Sequence, residues 1–443
     1  MYCVILGAGV VGSHMAEILS GKGHRLSVVD RDRQALRRLE SKVDFHAVPG
    51  ISFRKDILEA AGAGEAELVL CVTDNDADNI LAAMLCKKMG AGKVIARVRS
   101  RDFIEGREET YQSDFNIDSV FCPETLTAEE IAKRVRTPGI SAIEFFAGDR
   151  VHLREFTIRE DSDLIGVLFR DLDLCKKIVI PVIYRGSRTI IPNGNTSFAP
   201  GDSFLIVGTP ENVKEIGQAF GDASNRKRNI MVFGGGSIGY QLSAMLEKKG
   251  FNITLVEPRE SRCRWLSEKL DRTLVLNGSA MDPHFFDQEG IRGIDTYIAA
   301  RPEQEENIVS TLIARERGVE HTAVLVDQPE FLGMVRQLGI DTAVSPRHVT
   351  AGVIVRSLLP ENIRSIAILS EFESDVLEIK VRPNAQITQC PLKDASLPNG
   401  VVVAAMVRED RVIIPTGEDT IAGDDTLILF TLMKNISVIE KLF

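Results

Sequence analysis

The sequence predicts an α/β protein in which two doubly wound parallel-sheet domains are each followed by a small α+β domain. Three observations support this fold class. Short apolar runs alternate with helical patterns in residues 1–136, the same plan recurs in residues 228–359, and turn-rich sheet segments follow both regions. Alternating strands and helices are typical of a parallel sheet, whereas short strands separated by turns are typical of antiparallel units.

An internal repeat relates the two halves of the chain. The segment VILGAGVVGSHMAEILSGKGHRLSVVD aligns without a gap with MVFGGGSIGYQLSAMLEKKGFNITLVE, and further matching segments follow at similar spacing to the end of the sequence. Matches over the whole length indicate a duplicated unit rather than one recurring motif. We therefore predict four domains, at residues 1–136, 137–222, 228–359 and 360–443.

Apolar runs in the first copy predict the six strands of a doubly wound sheet. They lie near residues 2–6, 26–30, 43–48, 67–72, 93–98 and 117–121. The small domain that follows contains VHLREFTI, KIVIPVIY and DSFLIVG, with Pro, Gly, Asn and Asp between the runs. We expect a small sheet with two helices in each of these domains.

A glycine motif joins the first strand to the first helix. Gly7, Gly9 and Gly12 have the GxGxxG spacing of Rossmann-like domains, and Asp30 ends the second strand. In such domains the first glycine permits a tight turn, the second admits a pyrophosphate, and the third packs helix on strand. Amides at the helix N-terminus bind phosphate. The carboxylate at the end of the second strand accepts hydrogen bonds from the ribose hydroxyls and repels the extra phosphate of NADP. The pattern favours NAD(H) or an adenine nucleotide; a glycine turn that serves packing alone is the alternative.

Two arginines lie on the fifth predicted strand. In KVIARVRS, Arg97 and Arg99 are two positions apart and therefore share one face near the carboxyl edge of the sheet. Two guanidinium groups there are suited to clamp phosphates, and a pair of surface arginines is the alternative. The second copy reads TAVLVDQ at this place and lacks both arginines.

Composition excludes several classes of function. The chain has 53 Lys and Arg against 63 Asp and Glu, a formal net charge of −10, so we expect no nucleic acid partner. Seven scattered cysteines without CxxC spacing, and no basic leader before the strand-like run at Tyr2, favour the cytoplasm. The histidines lack metal-ligand spacing and no Walker GxxxxGKS/T motif is present, so we expect no metal site and no P-loop.

At these motifs the sequence resembles the KTN/RCK (regulator of potassium conductance) family of nucleotide-binding domains. The likeness lies in VILGAGVVGSHMAEIL, VVD, CVTDNDADNILAAMLCKKMGAGKVIARVRSRDF and IPNGNTSFAPGDSFLIVG, and it extends over essentially the whole chain. Two tandem copies, each ending in an RCK C-terminal unit, resemble Trk-type regulators. The resemblance implies a non-catalytic cytoplasmic subunit, attached peripherally to the inner face of the membrane. It would bind NAD(H) and ATP or ADP and gate a membrane-embedded potassium-transporting subunit.

The resemblance also implies which residues line the nucleotide sites. In the first copy they are Gly7, Gly9, Val10, Val11, Gly12, Asp30, Arg31, Gly50, Ile51, Thr73, Asp74, Asn79, Arg97 and Arg99. In the second copy they are Gly234, Gly236, Ser237, Ile238, Gly239, Glu257, Gly278, Ser279 and Arg301. Ile51 departs from the usual Asp or Asn, and Arg301 and Pro302 replace a Thr-Asp pair. We expect unequal sites, with the first favouring a triphosphate and the second NAD(H) or ADP.

Assembly and rival functions remain open at this level. The resemblance implies a homo-oligomer, dimer or tetramer, in which the folds pair through helices near TLTAEEIAKRV and VTAGVIVRSLL; an intradomain core is the alternative. A regulator of another cation channel or antiporter would carry the same motifs. An NAD-dependent dehydrogenase would need a substrate domain with an acid or base, for which the small sheet units offer no obvious residue.

Overall fold

The structure is a computed structural model that describes most of the chain. The described residues are 1–99, 111, 113–135, 143–158, 160, 162–172, 177–185, 188–219, 229–288, 291–328, 331–357, 362–369, 374–432, 439 and 442. Contacts divide the chain into two compact units, Met1–Ala132 with Lys227–Ile354, and Lys133–Arg226 with Val355–Phe443. Each unit therefore combines equivalent regions of the two copies. The predicted boundaries at 136/137, 222/228 and 359/360 fall outside the described residues and stay predictions.

The first sheet is parallel throughout, in the order β3-β2-β1-β4-β5-β6. Its strands are β1 (Tyr2–Leu6), β2 (Arg25–Asp30), β3 (His46–Pro49), β4 (Leu68–Cys71), β5 (Lys93–Arg97) and β6 (Ser119–Phe121). Its helices are α1 (Val10–Gly21), α2 (Arg33–Glu40), α3 (Lys55–Ala60), α4 (Asp76–Met89) and α5 (Pro123–Val135). This strand order is that of the doubly wound dinucleotide-binding fold, which confirms the predicted fold class.

The first small sheet is antiparallel, in the order β10-β9-β11-β8-β7. Its strands are β7 (Ile143–Phe146), β8 (Val151–Thr157), β9 (Ile183–Arg185), β10 (Arg188–Ile190) and β11 (Ser203–Gly208). A single α-helix, α6 (Pro210–Ala219), accompanies them within the described residues. A short 3-10 turn lies at Phe169–Asp171, and no second α-helix is found among the described residues of this domain.

The second copy repeats the six-stranded parallel sheet of the first copy, in the order β14-β13-β12-β15-β16-β17. Its strands are β12 (Asn229–Phe233), β13 (Asn252–Glu257), β14 (Leu274–Asn277), β15 (Thr296–Ala299), β16 (His321–Leu325) and β17 (Thr342–Val344). Its helices are α7 (Ser237–Lys248), α8 (Glu260–Lys269), α9 (Pro283–Gln288), α10 (Gln304–Glu316), α11 (Phe331–Gln337) and α12 (Pro346–Ser357). Of the helical segment VTAGVIVRSLL, Leu358 and Leu359 lie outside the described residues.

The second small sheet repeats the first, in the order β18-β19-β22-β20-β21. Its strands are β18 (Ile363–Leu369), β19 (Ser374–Lys380), β20 (Val402–Arg408), β21 (Arg411–Ile413) and β22 (Thr426–Leu432). The two small sheets share a hydrophobic core, in which Leu153 and Leu205 of the first belong to the same buried cluster as Val376 and Phe430 of the second. Burial of apolar surface from both copies thus stabilises their pairing in this unit.

Buried apolar strands form the centre of the first sheet. Cys3–Leu6 and Leu68–Cys71 are completely buried, as expected for parallel strands that are covered by helices on both faces. The predicted strand at 43–48 begins only at His46, because the amide of Val43 instead donates to Leu39 O at the end of α2.

Among the helices that the structure describes, none has both the length and the apolar composition needed to cross a membrane.

The two nucleotide folds contact each other through equivalent positions. Thr125 Oγ1 on α5 donates to Gln241 Oε1 on α7 at 2.6 Å. The rings of His348 on α12 and His14 on α1 have centroids 5.9 Å apart. Thr125 aligns with His348 in the repeat, and His14 aligns with Gln241. The helix that follows each sheet therefore packs against the first helix of the other copy, in two contacts related by the duplication.

Candidate nucleotide-binding site

A cavity of about 1020 Å³ lies at the carboxyl ends of both parallel sheets. From the first copy it is lined by Gly7–Val11, Val29–Asp32, Ala35, Arg38, Gly50–Phe53, Val72–Asp74, Asp78, Arg97, Arg99, Pro123 and Glu124. From the second copy it is lined by Gly236–Ile238, Ala300–Pro302, Leu325, Asp327, Pro346, Arg347 and Thr350. The carboxyl edge is where open α/β sheets bind ligands, and this volume is large enough for a nucleotide.

The first glycine turn has the geometry that a bound phosphate requires. Gly7 has φ +115°, a conformation that side chains disfavour, and a Cβ at Gly12 would lie 1.8 Å from Gly7 O. A Cβ at Gly9, in contrast, would meet nothing within 4 Å, although Gly9 lines the cavity. Gly7 and Gly12 therefore shape the turn, whereas Gly9 leaves open space for a ligand.

The N-terminus of α1 opens into this space. Gly9 is its N-cap without a side-chain cap, and Val10, the first helical residue, is 54% exposed. The first amides of an α-helix have no carbonyl partner within the helix, and the helix dipole places partial positive charge there. Amides and dipole together suit the turn to hold the phosphates of a nucleotide.

Asp30 lies at the end of β2 with capacity for further hydrogen bonds. Its Oδ2 accepts from the amide of Ala8 at 2.6 Å, and its Oδ1 accepts from the amide of Asp32 at 2.7 Å. Two carboxylate oxygens have about four acceptor positions, so lone pairs remain for ribose hydroxyls. The carboxylate both fixes the glycine turn and faces the cavity. Arg31 beside it lines the cavity and lies 3.9 Å from Asp74 in an exposed ion pair.

The end of β3 forms an apolar part of the cavity wall. A Cβ at Gly50 would lie 2.5 Å from Ile57 Cδ1, so a larger residue there would make the Ile57 side chain move. Ile51 is 43% exposed and lines the cavity with Ser52 and Phe53. Where the resemblance implies Asp or Asn, Ile51 thus gives the cavity an apolar surface, which suits the face of an adenine ring.

Asn79 joins the ends of two strands by hydrogen bonds and does not line the cavity. Its Oδ1 accepts from the amide of Thr73 at 2.8 Å, and its Nδ2 donates to Thr73 O at 3.1 Å and Arg97 O at 3.0 Å. These bonds tie the end of β4 to the end of β5. Thr73 and Asp74 themselves line the cavity, as the sequence predicts.

Arg97 and Arg99 both line the cavity, although β5 ends at Arg97. Arg97 is mostly buried, and an Nη atom lies 3.6 Å from Glu124 Oε1 at the start of α5. Burial lowers the pKa of Arg97, with the charge of Glu124 acting in the opposite direction. Arg99 is exposed, and its backbone amide donates to both carboxylate oxygens of Asp76 at 3.0 Å. A phosphate in the cavity would therefore meet one buried and one exposed guanidinium group.

The second glycine turn repeats the first in its backbone geometry. Gly234 has φ +108°, a Cβ at Gly239 would lie 1.9 Å from Gly234 O, and a Cβ at Gly236 would meet nothing within 4 Å. Residues 235–239 also match the GxSxG pattern of hydrolases. Ser237 Oγ, however, accepts from Gln241 Nε2 at 3.2 Å, within the contact between the two copies. The serine is thus engaged by a side-chain amide rather than by a base.

Glu257, the acidic residue of the second copy, is buried and does not line the cavity. Glu257 is 1% exposed; its Oε2 accepts from the amide of Gly235, and its Oε1 from the amide and Nε of Arg259. Burial favours the neutral form, but these hydrogen bonds outweigh it and lower the pKa of Glu257. The sequence predicts Glu257 as a ribose ligand. In the structure its carboxylate is instead hydrogen-bonded to Gly235 and Arg259 of the same chain.

Three further predicted residues of the second copy have other surroundings. A Cβ at Gly278 would lie 2.2 Å from Phe285, and neither Gly278 nor Ser279 lines the cavity. Arg301 does line it, with Nε 2.8 Å from Glu306 and an Nη atom 3.0 Å from Glu303. The second copy therefore contributes loops and cationic groups to the cavity but not its expected ribose end.

One ion pair that lines the cavity is not predicted by the sequence motifs. Arg347 at the start of α12 donates through an Nη to Asp327 at 2.5 Å, and through Nε at 3.3 Å. In the repeat Arg347 aligns with Glu124 and Asp327 aligns with Arg99. Each copy thus has an ion pair between the end of the fifth strand and the following helix. The arginine is on the strand side in the first copy, at Arg97 two positions before Arg99, and on the helix side in the second. This reversal is visible on aligning CPETL with SPRHV, which is the signal that would have identified Arg347.

Family models and curated relatives match the entire arrangement. The TrkA-N domain model matches residues 3–123 and 230–346, and the TrkA-C domain model matches 153–221 and 376–443. The Trk system potassium uptake protein TrkA homolog 2 of Methanosarcina mazei is 31% identical over 100% of both chains. The TrkA homolog of Archaeoglobus fulgidus is 32% identical over 100% of both chains. TrkA of Vibrio alginolyticus is 28% identical over 100% of this chain and 98% of its own.

Solved structures share the fold. The GsuK RCK domain covers 100% of this chain and 94% of its own, with a TM-score of 0.65 and 17% identity. The GsuK channel bound to NAD covers 100% of this chain and 78% of its own, with the same TM-score and identity. GsuK bound to ADP covers 81% of this chain and 69% of its own, with a TM-score of 0.52. At such identities the likeness establishes the fold.

Proposed function

Because the chain belongs to the TrkA family of Trk-system potassium uptake proteins, we propose that it is a nucleotide-binding regulatory subunit of a membrane potassium transporter. In this proposal the chain is cytoplasmic, catalyses no reaction and attaches as a homo-oligomer to the inner face of the membrane. Nucleotide occupancy would set the conformation that the transporter senses.

One observation carries the proposal: a single cavity is lined by the glycine turns of both copies. A ligand in such a cavity contacts two folds at once. It can therefore favour one arrangement of the folds over another, provided that its affinity differs between the two arrangements. A tenfold difference in affinity corresponds to about 1.4 kcal/mol of bias for each site.

The cavity chemistry supports adenine nucleotides as ligands. The open space at Gly9, the amides of α1 and the two arginines suit phosphates, while Asp30 suits a ribose with free hydroxyls. The same carboxylate disfavours NADPH, because a 2′-phosphate would bring a second negative charge beside it. NAD(H), ATP and ADP therefore remain as candidates, and relatives of the same fold have been solved with NAD and with ADP.

Calorimetric titration with ATP, ADP, NADH and NADPH tests nucleotide binding. We expect ATP and NADH to bind and NADPH to be rejected. The double variant Arg97→Gln/Arg99→Gln removes two charge-assisted phosphate contacts and is expected to weaken ATP binding by at least about tenfold. Arg25→Gln is the matched control, since Arg25 begins β2 at the opposite edge of the sheet. Binding of no nucleotide at all would refute the proposed site.

Flux measurements test regulation. The chain would be added to proteoliposomes that contain the potassium-transporting subunit, with ATP, with ADP or without nucleotide. We expect different potassium fluxes with ATP and ADP, and no such difference without the chain. Equal fluxes under all conditions would refute regulation, while a response only with another cation channel or antiporter would reassign the partner.

A further inference from the structure

The two copies carry opposite charges next to the residues through which they contact each other's first helices. His348 contacts His14, which lies about one turn after the start of α1, and the residue before His348 is Arg347. In the equivalent contact Thr125 bonds to Gln241, which also bonds to Ser237 at the start of α7, and the residue before Thr125 is Glu124. The residue before the contact with α1 is thus an arginine, and the residue before the contact with α7 is a glutamate.

This difference decides where an anion is stabilised. A helix N-terminus attracts negative charge, and a nearby guanidinium adds to that attraction. A carboxylate at the same place competes for the helix N-terminus and repels a phosphate. Both Arg347 and Glu124 line the cavity, each in an ion pair with a residue of its own copy, Asp327 and Arg97. A phosphate that displaces Asp327 gains the guanidinium group of Arg347, whereas a phosphate gains no attraction from Glu124.

Only the first copy offers a place for adenosine. It contributes β2 and β3 ends to the cavity, from Val29 to Phe53. Among the described residues of the second copy, none between Gly239 and Ala299 lines the cavity. There Glu257 is sealed by Arg259, and a Cβ at Gly235 would lie 2.4 Å from Leu266 Cδ1. The region that would hold the base and ribose is filled by the chain itself.

From these contacts we infer that the chain binds one nucleotide, with adenosine in the first copy and the terminal phosphate of a triphosphate on Arg347 of the second. This inference rests on the proposed function, because it specifies how the same cavity reads its ligand. Arg347 exchanges its carboxylate partner, Asp327, for the phosphate. Since the Arg347 side chain is 25% exposed and that of Asp327 is 49% exposed, the pair is open to such an exchange.

Two variants with opposite expected effects test the role of Arg347 by calorimetry on the full chain. Arg347→Gln removes a charge-assisted contact and is expected to weaken ATP binding by about tenfold or more, with ADP affinity changed by less than about twofold. Asp327→Asn removes the competing carboxylate and is expected to strengthen ATP binding. Arg264→Gln is the matched control, because Arg264 also belongs to an ion pair in the second copy but does not line the cavity.

The same titrations give the stoichiometry. One ATP for each chain, together with opposite effects of Arg347→Gln and Asp327→Asn, is the expected result. Two ATP molecules for each chain would overturn the inference and leave the proposed function intact. An equal loss of ATP and ADP affinity in Arg347→Gln would also overturn it, since that pattern indicates general damage. If the unaltered chain bound no nucleotide, the proposed function and this inference would both be refuted.

Discussion

At the scale of single residues, the two copies differ in whether the carboxylate after the second strand is available to a ligand. Asp30 keeps acceptor positions free beside the cavity, whereas the carboxylate of Glu257 accepts hydrogen bonds from Gly235 and Arg259. The sequence predicts the two acids as equivalents, because their spacing from the glycines is identical. Nothing in that spacing reveals which side chain will be covered by an arginine.

Asp30→Asn tests the open carboxylate. The variant keeps the size of the side chain but loses the charged acceptor for ribose hydroxyls, so we expect ATP and NADH affinity to fall by about tenfold. Discrimination against NADPH should also weaken, because the repulsion of its 2′-phosphate is removed. Calorimetry on the folded variant measures both effects. Unchanged affinity for ATP and NADH would mean that the ribose does not lie at Asp30.

Glu257→Gln is the control in the second copy. Nucleotide affinity should be unchanged, whereas the free energy of unfolding should fall by about 1–3 kcal/mol at neutral pH, since a charged acceptor is lost. The folded-state pKa of Glu257 lies below its ordinary value of 4.5. Its contribution is therefore complete well above pH 4.5 and is lost as pH falls through the folded-state pKa. The difference in melting temperature should shrink on acidification; a difference that grows would contradict this assignment.

At the scale of elements, each glycine turn combines closely packed glycines with one that leaves open space at the cavity. Gly12 is fixed by the carbonyl of Gly7, and Gly239 by that of Gly234, while Gly9 and Gly236 are free of neighbours. The GxGxxG pattern predicts this difference in close packing, and the binding role of Gly9 and Gly236 stays a prediction. It does not predict the ends of elements, since Arg99 lies beyond β5 and not on it.

Gly12→Ala separates these roles. Alanine normally stabilises a helix interior by up to about 1 kcal/mol relative to glycine, but here its Cβ would lie 1.8 Å from Gly7 O. We expect a net loss of about 1–3 kcal/mol, because the turn must shift. Gly21→Ala at the other end of α1 is the control, since its Cβ would meet nothing within 4 Å. Thermal denaturation compares the variants; equal melting temperatures would contradict the packing role of Gly12.

At the scale of the whole molecule, the duplication is predictable but the pairing is not. The repeat predicts two nucleotide folds and two small sheet domains, and family models and relatives confirm the resemblance to KTN/RCK and Trk-type proteins. The sequence left open whether the helix after each sheet packs within its domain or on another copy. The contact of Thr125 with Gln241 joins residues far apart in the chain, which no local pattern reports.

The cavity is a consequence of that pairing. Sequence motifs identify each glycine turn separately and predict two unequal sites, but only the folded chain places both turns around one space. The reversed ion pairs, Arg97 with Glu124 and Arg347 with Asp327, then make that space asymmetric. Duplication followed by divergence of a few charges has thus given two similar folds one cavity that both of them line.

Hydrogen–deuterium exchange with and without saturating ATP tests this central claim most directly. The account predicts that amides at the start of α1, residues 9–13, and at the start of α12, residues 347–350, become protected together, because one ligand contacts both copies. Residues 257–281 should exchange as before. Protection confined to one copy, or protection of 257–281 in place of 9–13, would contradict a single nucleotide bound between the two folds.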